Sequence, residues 1–186
     1  DIEFTIQKKK LWLLQTRHGK RNGRAAIKIA LDLFKHNKIN HKTLFKRITS
    51  DHINEILLPS IDQKEEQLVT IIAQGLPAGP GSATGQIVFT ADKAEKLYKA
   101  GRKVVLVRKE TSPEDIHGMY ASEAILTSRG GMTSHAALVA RGWGKCCIVG
   151  SNDININYKQ KTFTANKHVF YEHDWITLNG SKGFVY

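Results

Sequence analysis

The residues with the clearest chemical potential lie in one segment, "RGGMTSHAALVARGWGKCCIVG", residues 129–150. Gly130 and Gly131 let the backbone approach a ligand without obstruction by a Cβ atom. Thr133 is a candidate N-cap, which places His135 in the first turn of a helix. The free N–H groups and the positive end of the helix dipole favour an anion there and disfavour an imidazolium. A neutral imidazole beside such donors suits a nucleophile that accepts a phosphoryl group.

His135 also has a plainer interpretation, because a histidine at a helix start is more often a surface or packing residue than a nucleophile. The remaining histidines show no metal-ligand spacing; they are His18, His36, His41, His52, His117, His168 and His173. Cys146 and Cys147 are adjacent, so a disulfide between them would be strained. We therefore expect two small buried apolar residues in a reducing, cytoplasmic compartment.

The elements that must position His135 alternate between strand and helix, which predicts an α/β domain over residues 76–186. The glycine- and proline-rich segment "GLPAGPGSATG", residues 75–85, lies at the start of this domain and cannot be helical. Ser112 caps a short helix that has Pro113 at its first position. The remaining predicted elements are the strands "QIVF", "KVVLV", "EAIL" and "CCIV", the helices 92–100 and 134–141, and closing strands at 167–171, 175–179 and 183–185.

The first 75 residues have a different organisation. A lysine-rich turn, Lys8 to Lys10, separates apolar runs at residues 2–6 and 11–16, which predicts a β-hairpin. Three helices should follow, of which the second and third have Asn40 and Ser50 as expected N-caps; they are predicted at residues 24–37, 41–48 and 51–57. The polar stretch "SIDQKEEQ" then interrupts the helical pattern.

Net charge and hydropathy argue against two classes of function, nucleic-acid binding and membrane spanning. The formal net charge is +11, and residues 1–50 hold thirteen Lys and Arg against three Asp and Glu. This basic region lacks interleaved aromatic residues and zinc-finger spacing, so we expect no nucleic-acid partner. No apolar run is long enough to span a membrane, and no signal peptide is recognisable. The chain opens on strand-like "DIEFTIQ" without a methionine, and we expect it to be part of a longer polypeptide.

The segment "SRGGMTSHAALVARGWGKCCIVG" closely resembles the phosphohistidine segment of the pyruvate, phosphate dikinase family. "TSPEDIHGMYASEAILTS", "WITLNGSKG" and the opening "IEFTIQKKKLWLLQTRHGKR" resemble the same family. Water dikinases (phosphoenolpyruvate synthases) and enzyme I of the sugar phosphotransferase system share the Gly-Gly-x-Thr-x-His core. They typically lack Met132 and the "GKCC" feature.

This resemblance implies roles for individual residues. His135 corresponds to the phosphorylated histidine, within a phosphate loop that includes Gly130, Gly131 and Ser134. Thr133 corresponds to a threonine that plant members phosphorylate for regulation, and a phosphate there would crowd the site with negative charge.

The resemblance also implies a nucleotide-binding role near the start of the chain. Glu3, Gln15 and Arg17 match residues that handle magnesium and phosphates. Asp1 and Glu3 share one strand face, which would suit Mg²⁺, although both could equally be solvated carboxylates at a sheet edge.

The implied fold is a swivelling phosphohistidine β/β/α domain (76–186), preceded by a helical linker (23–75) and a β-hairpin remnant of an ATP-grasp domain (1–22). The implied function is transfer of a phosphoryl group on His135 from an ATP and phosphate site to a pyruvate site. Linkers near residues 61–76 and after Tyr186 would act as hinges for this movement. The expected partners are the ATP-grasp and pyruvate-binding barrel domains of one polypeptide, which would form a homodimer. Two alternatives stay open: a water dikinase carrier domain, and a non-catalytic module whose basic region binds an acidic partner.

Overall fold

The computed structural model of the chain describes residues 2–16 and 23–186. It divides into two compact units, Asp1–Leu57 and Leu58–Tyr186. The predicted three-part division at residues 22/23 and 75/76 stays a prediction.

The first unit contains the expected hairpin and three helices. Antiparallel strands β1 (Ile2–Gln7) and β2 (Lys10–Thr16) pair through a turn in which Lys8 and Lys9 both have positive φ, 51° and 60°. The helices are α1 (Gly23–Lys35), α2 (His41–Arg47) and α3 (Ser50–Leu57).

The structure confirms the predicted N-cap of the second helix but not that of the third. Asn40 caps α2 as expected, because its side chain accepts a hydrogen bond from the N–H of Thr43 at 2.9 Å. Ser50 is not the cap of α3. The hydroxyl of Thr49 accepts from the N–H of His52 at 3.4 Å, and the helix already includes Ser50.

The second unit is a mixed α/β domain, as predicted. Its elements in chain order are α4 (Gln63–Leu68), β3 (Ala73–Gln74), β4 (Leu76–Gly79), β5 (Ser82–Val88), α5 (Ala91–Lys99), β6 (Val104–Arg108), a 3-10 turn (Pro113–Asp115), α6 (Ile116–Ala121), β7 (Ala124–Thr127), α7 (His135–Trp143), β8 (Cys146–Val149), β9 (Asn155–Asn157), β10 (Thr162–Ala165), β11 (His168–Tyr171), β12 (Trp175–Asn179) and β13 (Phe184–Val185).

Two sheets and a helical layer build this unit. The larger sheet has eight strands in the order β3-β13-β12-β5-β6-β7-β8-β4, in which β5 to β8 run parallel and the outer pairings are antiparallel. The smaller sheet has the order β11-β10-β9. Helices α5, α6 and α7 follow or connect the parallel strands, as crossover connections require.

The core lies on both faces of the larger sheet. Alternation along β6 sends Val105 and Val107 into one cluster with Phe163 of the smaller sheet. Val104 and Leu106 enter the other cluster, which contains the small residues of α7, namely Ala136, Ala137 and Ala140. The layers are therefore sheet, sheet and helices, which is the predicted β/β/α arrangement.

The parallel strands β6 and β7 bring two loops together at one edge of the larger sheet. Arg108 at the end of β6 is paired with Thr127 at the end of β7. The pairing continues past the strand ends, since the N–H of Ser128 donates to the carbonyl of Arg108 at 3.1 Å and that of Arg129 to Lys109 at 2.8 Å. The loop after β6 therefore runs beside the loop that leads to His135.

Candidate active site

His135 is the first residue of α7, and Ser134 is its N-cap. The Ser134 hydroxyl accepts from the N–H of Ala137 at 3.4 Å, and its carbonyl accepts from Leu138 at 3.0 Å. The prediction that Thr133 caps this helix is wrong. The N–H of Ser134 donates to the carbonyl of Gly131 at 3.0 Å, and this turn makes Ser134 the last extended residue before the helix. Thr133 lies one residue earlier, and it is exposed.

The two glycines of the loop have different roles. Gly130 has φ +103°, and a Cβ there would lie 2.9 Å from the Cβ of Ser134. Only glycine fits this position. Gly131 has no such restriction, because a Cβ there would meet no described atom within 4 Å. The space beside Gly131 is therefore open in the part of the chain that the structure describes.

The imidazole of His135 is half-buried, and its Nδ1 lies 3.1 Å from Oγ1 of Thr111. This distance fits either direction of the hydrogen bond. A neutral ring that donates its Nδ1–H to Thr111 keeps a lone pair on Nε2, which leaves that nitrogen available for reaction with an electrophile. Thr111 thus connects the loop after β6 to the chemistry of His135.

The residue after Thr111 is held by a partly buried ion pair. Asp115, 6% exposed, lies 3.2 Å from the guanidinium of Arg108. Its carboxylate also accepts from the N–H of Ser112 at 3.1 Å, as part of a capping box. The residue that follows Thr111 is therefore fastened to the end of β6.

Sequence reasoning missed Thr111, which is 24 residues before His135. The available signal was a hydroxyl residue shortly after the strand "KVVLV", because loops after neighbouring parallel strands meet at one sheet edge.

The charges near His135 favour an anionic substrate only in part. The first N–H groups of α7 have no acceptor within the helix and carry the positive end of its dipole. Glu114 brings a negative charge to the same region. Its pKa is lowered by a hydrogen bond from Ser112 and, to a smaller extent, by attraction to His135. Glu114 is exposed, so solvent screens its charge.

The predicted nucleotide residues lie in the first unit. Glu3 on β1 and Gln15 on β2 are directly opposite each other in the hairpin, and both are exposed. Asp1 and Arg17 lie outside the described residues. Among residues 2–16 and 23–186, no three His, Cys, Asp or Glu side chains are arranged to hold a metal ion.

Cys146 and Cys147 are buried free cysteines, as the sequence predicted. Burial raises the pKa of the Cys146 thiol to about 11 and that of Cys147 to about 12. Both thiols are therefore protonated near neutral pH and poor nucleophiles. Within the described residues, no helix has the length and apolar character needed to cross a membrane.

Comparison with known proteins gives one domain family. Residues 100–183 match the family described as "PEP-utilising enzyme, mobile domain". This range contains both Thr111 and His135.

Relatives match the chain over its whole length. The chain is 49% identical over 185 residues to "Pyruvate, phosphate dikinase, chloroplastic" of Flaveria pringlei, a match that covers 100% of this chain and 19% of that protein. It is 50% identical over 185 residues to the chloroplastic enzyme of Mesembryanthemum crystallinum and to "Pyruvate, phosphate dikinase 2" of Oryza sativa subsp. japonica; these matches cover 100% of this chain and 20% and 21% of the relatives. The chain thus spans about a fifth of their length. Because several relatives are named chloroplastic, they do not support a simply cytoplasmic location.

Proposed function

Because residues 100–183 belong to the mobile-domain family of PEP-utilising enzymes, and the whole chain is homologous to a segment of pyruvate, phosphate dikinases, we propose that His135 carries a phosphoryl group between two substrate sites. One site binds ATP and phosphate, and the other binds pyruvate. The observation that supports this proposal most directly is the 3.1 Å contact between Nδ1 of His135 and Thr111, at the start of α7. It leaves Nε2 available to a phosphorus atom.

The stoichiometry defines the chemical steps of the proposal. The overall reaction converts ATP, phosphate and pyruvate into AMP, pyrophosphate and phosphoenolpyruvate. Formation of AMP requires Nε2 to attack the β-phosphorus of ATP, with the bond to the α-phosphate oxygen breaking. The γ-phosphoryl group then passes to phosphate, which forms pyrophosphate. The remaining phosphoryl group passes from Nε2 to the enolate oxygen of pyruvate.

The loop residues assist these steps by position and charge. In this proposal the N–H groups at the start of α7 donate to the phosphoryl oxygens, with Gly130, Gly131 and Ser134 shaping the loop. Gly131 faces open space, so the phosphoryl group enters on that side. The exposed hydroxyl of Thr133 is the proposed regulatory phosphorylation site. A phosphate there would repel the phosphates of ATP.

The carrier must move, because ATP and pyruvate cannot occupy the space around Nε2 together. Sequence reasoning placed one hinge near residues 61–76. The structure fastens much of this stretch to the sheet, since Glu66 is hydrogen-bonded to Asn179 at 2.7 Å and β3 pairs with β13. Pro59 is fastened as well, because its carbonyl accepts from the N–H of Ser82 at 2.8 Å. We therefore assign the hinge to the boundary between Leu57 and Leu58, with a second hinge after Tyr186.

The proposed substrates and partners follow from the relatives' names and length. ATP chemistry implies Mg²⁺. We assign the ion to the nucleotide-binding domain of a longer polypeptide, with Asp1 and Glu3 of this chain as candidate ligands. That polypeptide would also contain a pyruvate-binding barrel and form a homodimer in a reducing compartment.

Labelling can test the proposed function in the complete polypeptide that contains this segment. Phosphoenolpyruvate labelled with ³²P should transfer its label to the peptide that contains His135, in an acid-labile and base-stable form. The variant His135→Asn should melt like the wild type and take up no label. Label retained in this variant would show that another residue is the carrier.

Two further measurements distinguish the proposed function from a water dikinase and from a non-catalytic module. A water dikinase would release inorganic phosphate in the ATP half-reaction, whereas the proposed enzyme requires added phosphate and releases pyrophosphate. A non-catalytic module would take up no label from either substrate.

A further inference from the structure

Arg141 joins helix α7 to the loop that precedes it. Its Nε donates to the carbonyl of Ala137 at 3.1 Å, one helical turn earlier. One of its terminal nitrogens, Nη2, donates to the carbonyl of Met132, nine residues earlier in the chain. A single planar guanidinium thus binds two main-chain oxygens, one in the helix and one in the loop.

The loop residue that Arg141 binds lies inside the turn that determines where α7 begins. Met132 is the second residue of the turn closed by the N–H of Ser134 and the carbonyl of Gly131, at 3.0 Å. Ser134, the last residue of this turn, accepts from the N–H of Ala137. The carbonyl of Ala137 is the other acceptor of Arg141, so these hydrogen bonds form a closed ring around the start of the helix.

We propose that Arg141 is a positioning residue for His135, a role that rests on the proposed function. By fixing the Met132 carbonyl it fixes the turn 131–134, and with it the direction from which the His135 ring reaches Thr111. The role depends on the shape of the guanidinium rather than on its charge, because both donors in these contacts face neutral carbonyl oxygens. A lysine at this position carries the same charge but lacks the planar fork.

Three variants separate shape from charge. Arg141→Lys keeps the charge and loses the fork, whereas Arg141→Met loses both and keeps a long helix-forming side chain. Lys99→Met is the matched control, because Lys99 is also a cation in the last turn of a nine-residue helix, α5. In the complete polypeptide, the single-turnover rate of His135 labelling from ³²P-phosphoenolpyruvate is measured at increasing substrate concentration.

We expect both Arg141 variants to label His135 roughly tenfold more slowly at saturation, because a small misplacement of a reacting group has effects of this size or larger. The half-saturating concentration should stay at the wild-type value, since substrate binding is not changed. Lys99→Met should match the wild type in rate, and all three variants should melt within a few degrees of one another. A wild-type rate in Arg141→Lys would mean that charge alone matters, and a wild-type rate in both variants would overturn the role.

A second measurement tests the inference without any substrate. ¹⁵N-histidine NMR of the 186-residue chain reports which nitrogen of His135 carries the proton. Loss of the ring of hydrogen bonds should shift the His135 signals toward a mixture of tautomers in both Arg141 variants, but not in Lys99→Met. Unchanged signals in both variants would contradict the inference. If the wild-type polypeptide takes up no label, the proposed function fails, while this measurement still decides the role of Arg141.

Discussion

Gly150, after β8, lies against the histidine loop and offers a sharp test of how that loop is supported. Gly150 has φ +64°, and a Cβ there would lie 2.6 Å from the carbonyl oxygen of Gly130. Gly144, the C-cap of α7, has the same φ of +64° but no described atom within 4 Å of a Cβ. Gly150→Ala and Gly144→Ala therefore introduce the same backbone strain, and only the first introduces a steric conflict.

The size of the conflict follows from the distances. Ordinary van der Waals contact for a Cβ begins at 3.4 Å, so the Gly130 oxygen must move by about 0.8 Å from its 2.6 Å position. Gly130 has little free space toward Ser134, because a Cβ on Gly130 would lie 2.9 Å from the Cβ of Ser134. The displacement should therefore reach the N-cap of α7 and tilt His135.

Both alanine variants should lose roughly 1–2 kcal/mol of unfolding free energy from the left-handed backbone conformation. Gly150→Ala should lose about 1–3 kcal/mol more from overpacking. Since misplacement of a reacting group by about 1 Å can cost about 100-fold in rate, we expect Gly150→Ala to slow His135 phosphorylation by roughly 10- to 100-fold.

The assay combines a thermal melt of each variant with ³²P labelling of His135 in the complete polypeptide, at a temperature where both variants are folded. Gly144→Ala should label at the wild-type rate despite its lower stability. Equal labelling rates in the two variants would refute the reasoning, because the shared backbone strain would then account for everything observed.

Three further predictions concern residues around the site and the end of the sheet. Thr111→Val should slow labelling of His135 roughly fivefold, as expected for loss of a hydrogen bond worth about 1 kcal/mol, whereas Thr111→Ser should retain most of the rate. Equal rates in the two variants would exclude a role for the hydroxyl. Ser134→Ala should lower the unfolding free energy by about 1 kcal/mol in a denaturant titration, whereas Thr133→Val should leave it unchanged. Thr133→Asp should stay folded but label His135 slowly. A larger loss of stability in Thr133→Val than in Ser134→Ala would show that Thr133 is the cap. Glu66→Gln should be less stable than the wild type at pH 7, because hydrogen bonds from Lys182, Tyr186 and Asn179 lower the pKa of the Glu66 carboxyl below 4.5. This advantage of the wild type is complete above pH 4.5 and disappears as pH falls through the lowered pKa, so stability curves that stay parallel down to pH 2 would contradict it.

The position of His135 at a helix start was predictable, because Ala136, Ala137 and Ala140 follow it at helical spacing after a pair of glycines. The N-cap was wrong by one residue because Thr133 and Ser134 both have hydroxyls that can cap. The turn between Gly131 and Ser134 decides between them, and that turn is visible only in three dimensions.

Elements without apolar periodicity were also missed. Helix α4 has the polar sequence "QKEEQL", and Glu66 within it makes hydrogen bonds to residues more than 110 positions away. Strands β9 and β10 are three and four residues long and lie between turns, so they offer too short a pattern to recognise.

The contact between His135 and Thr111 also constrains how the proposed carrier would work. A neutral imidazole has one lone pair in the ring plane, and when the ring donates its Nδ1–H to Thr111 that pair lies on Nε2. Thr111 is fixed to β6 through Ser112, Asp115 and Arg108, so the ring cannot exchange the two nitrogens without breaking this support. Donor and acceptor must then reach the same nitrogen from the same open side of the loop. If His135 serves two substrates as proposed, they cannot occupy that space together, so transfer between them would require the domain itself to move.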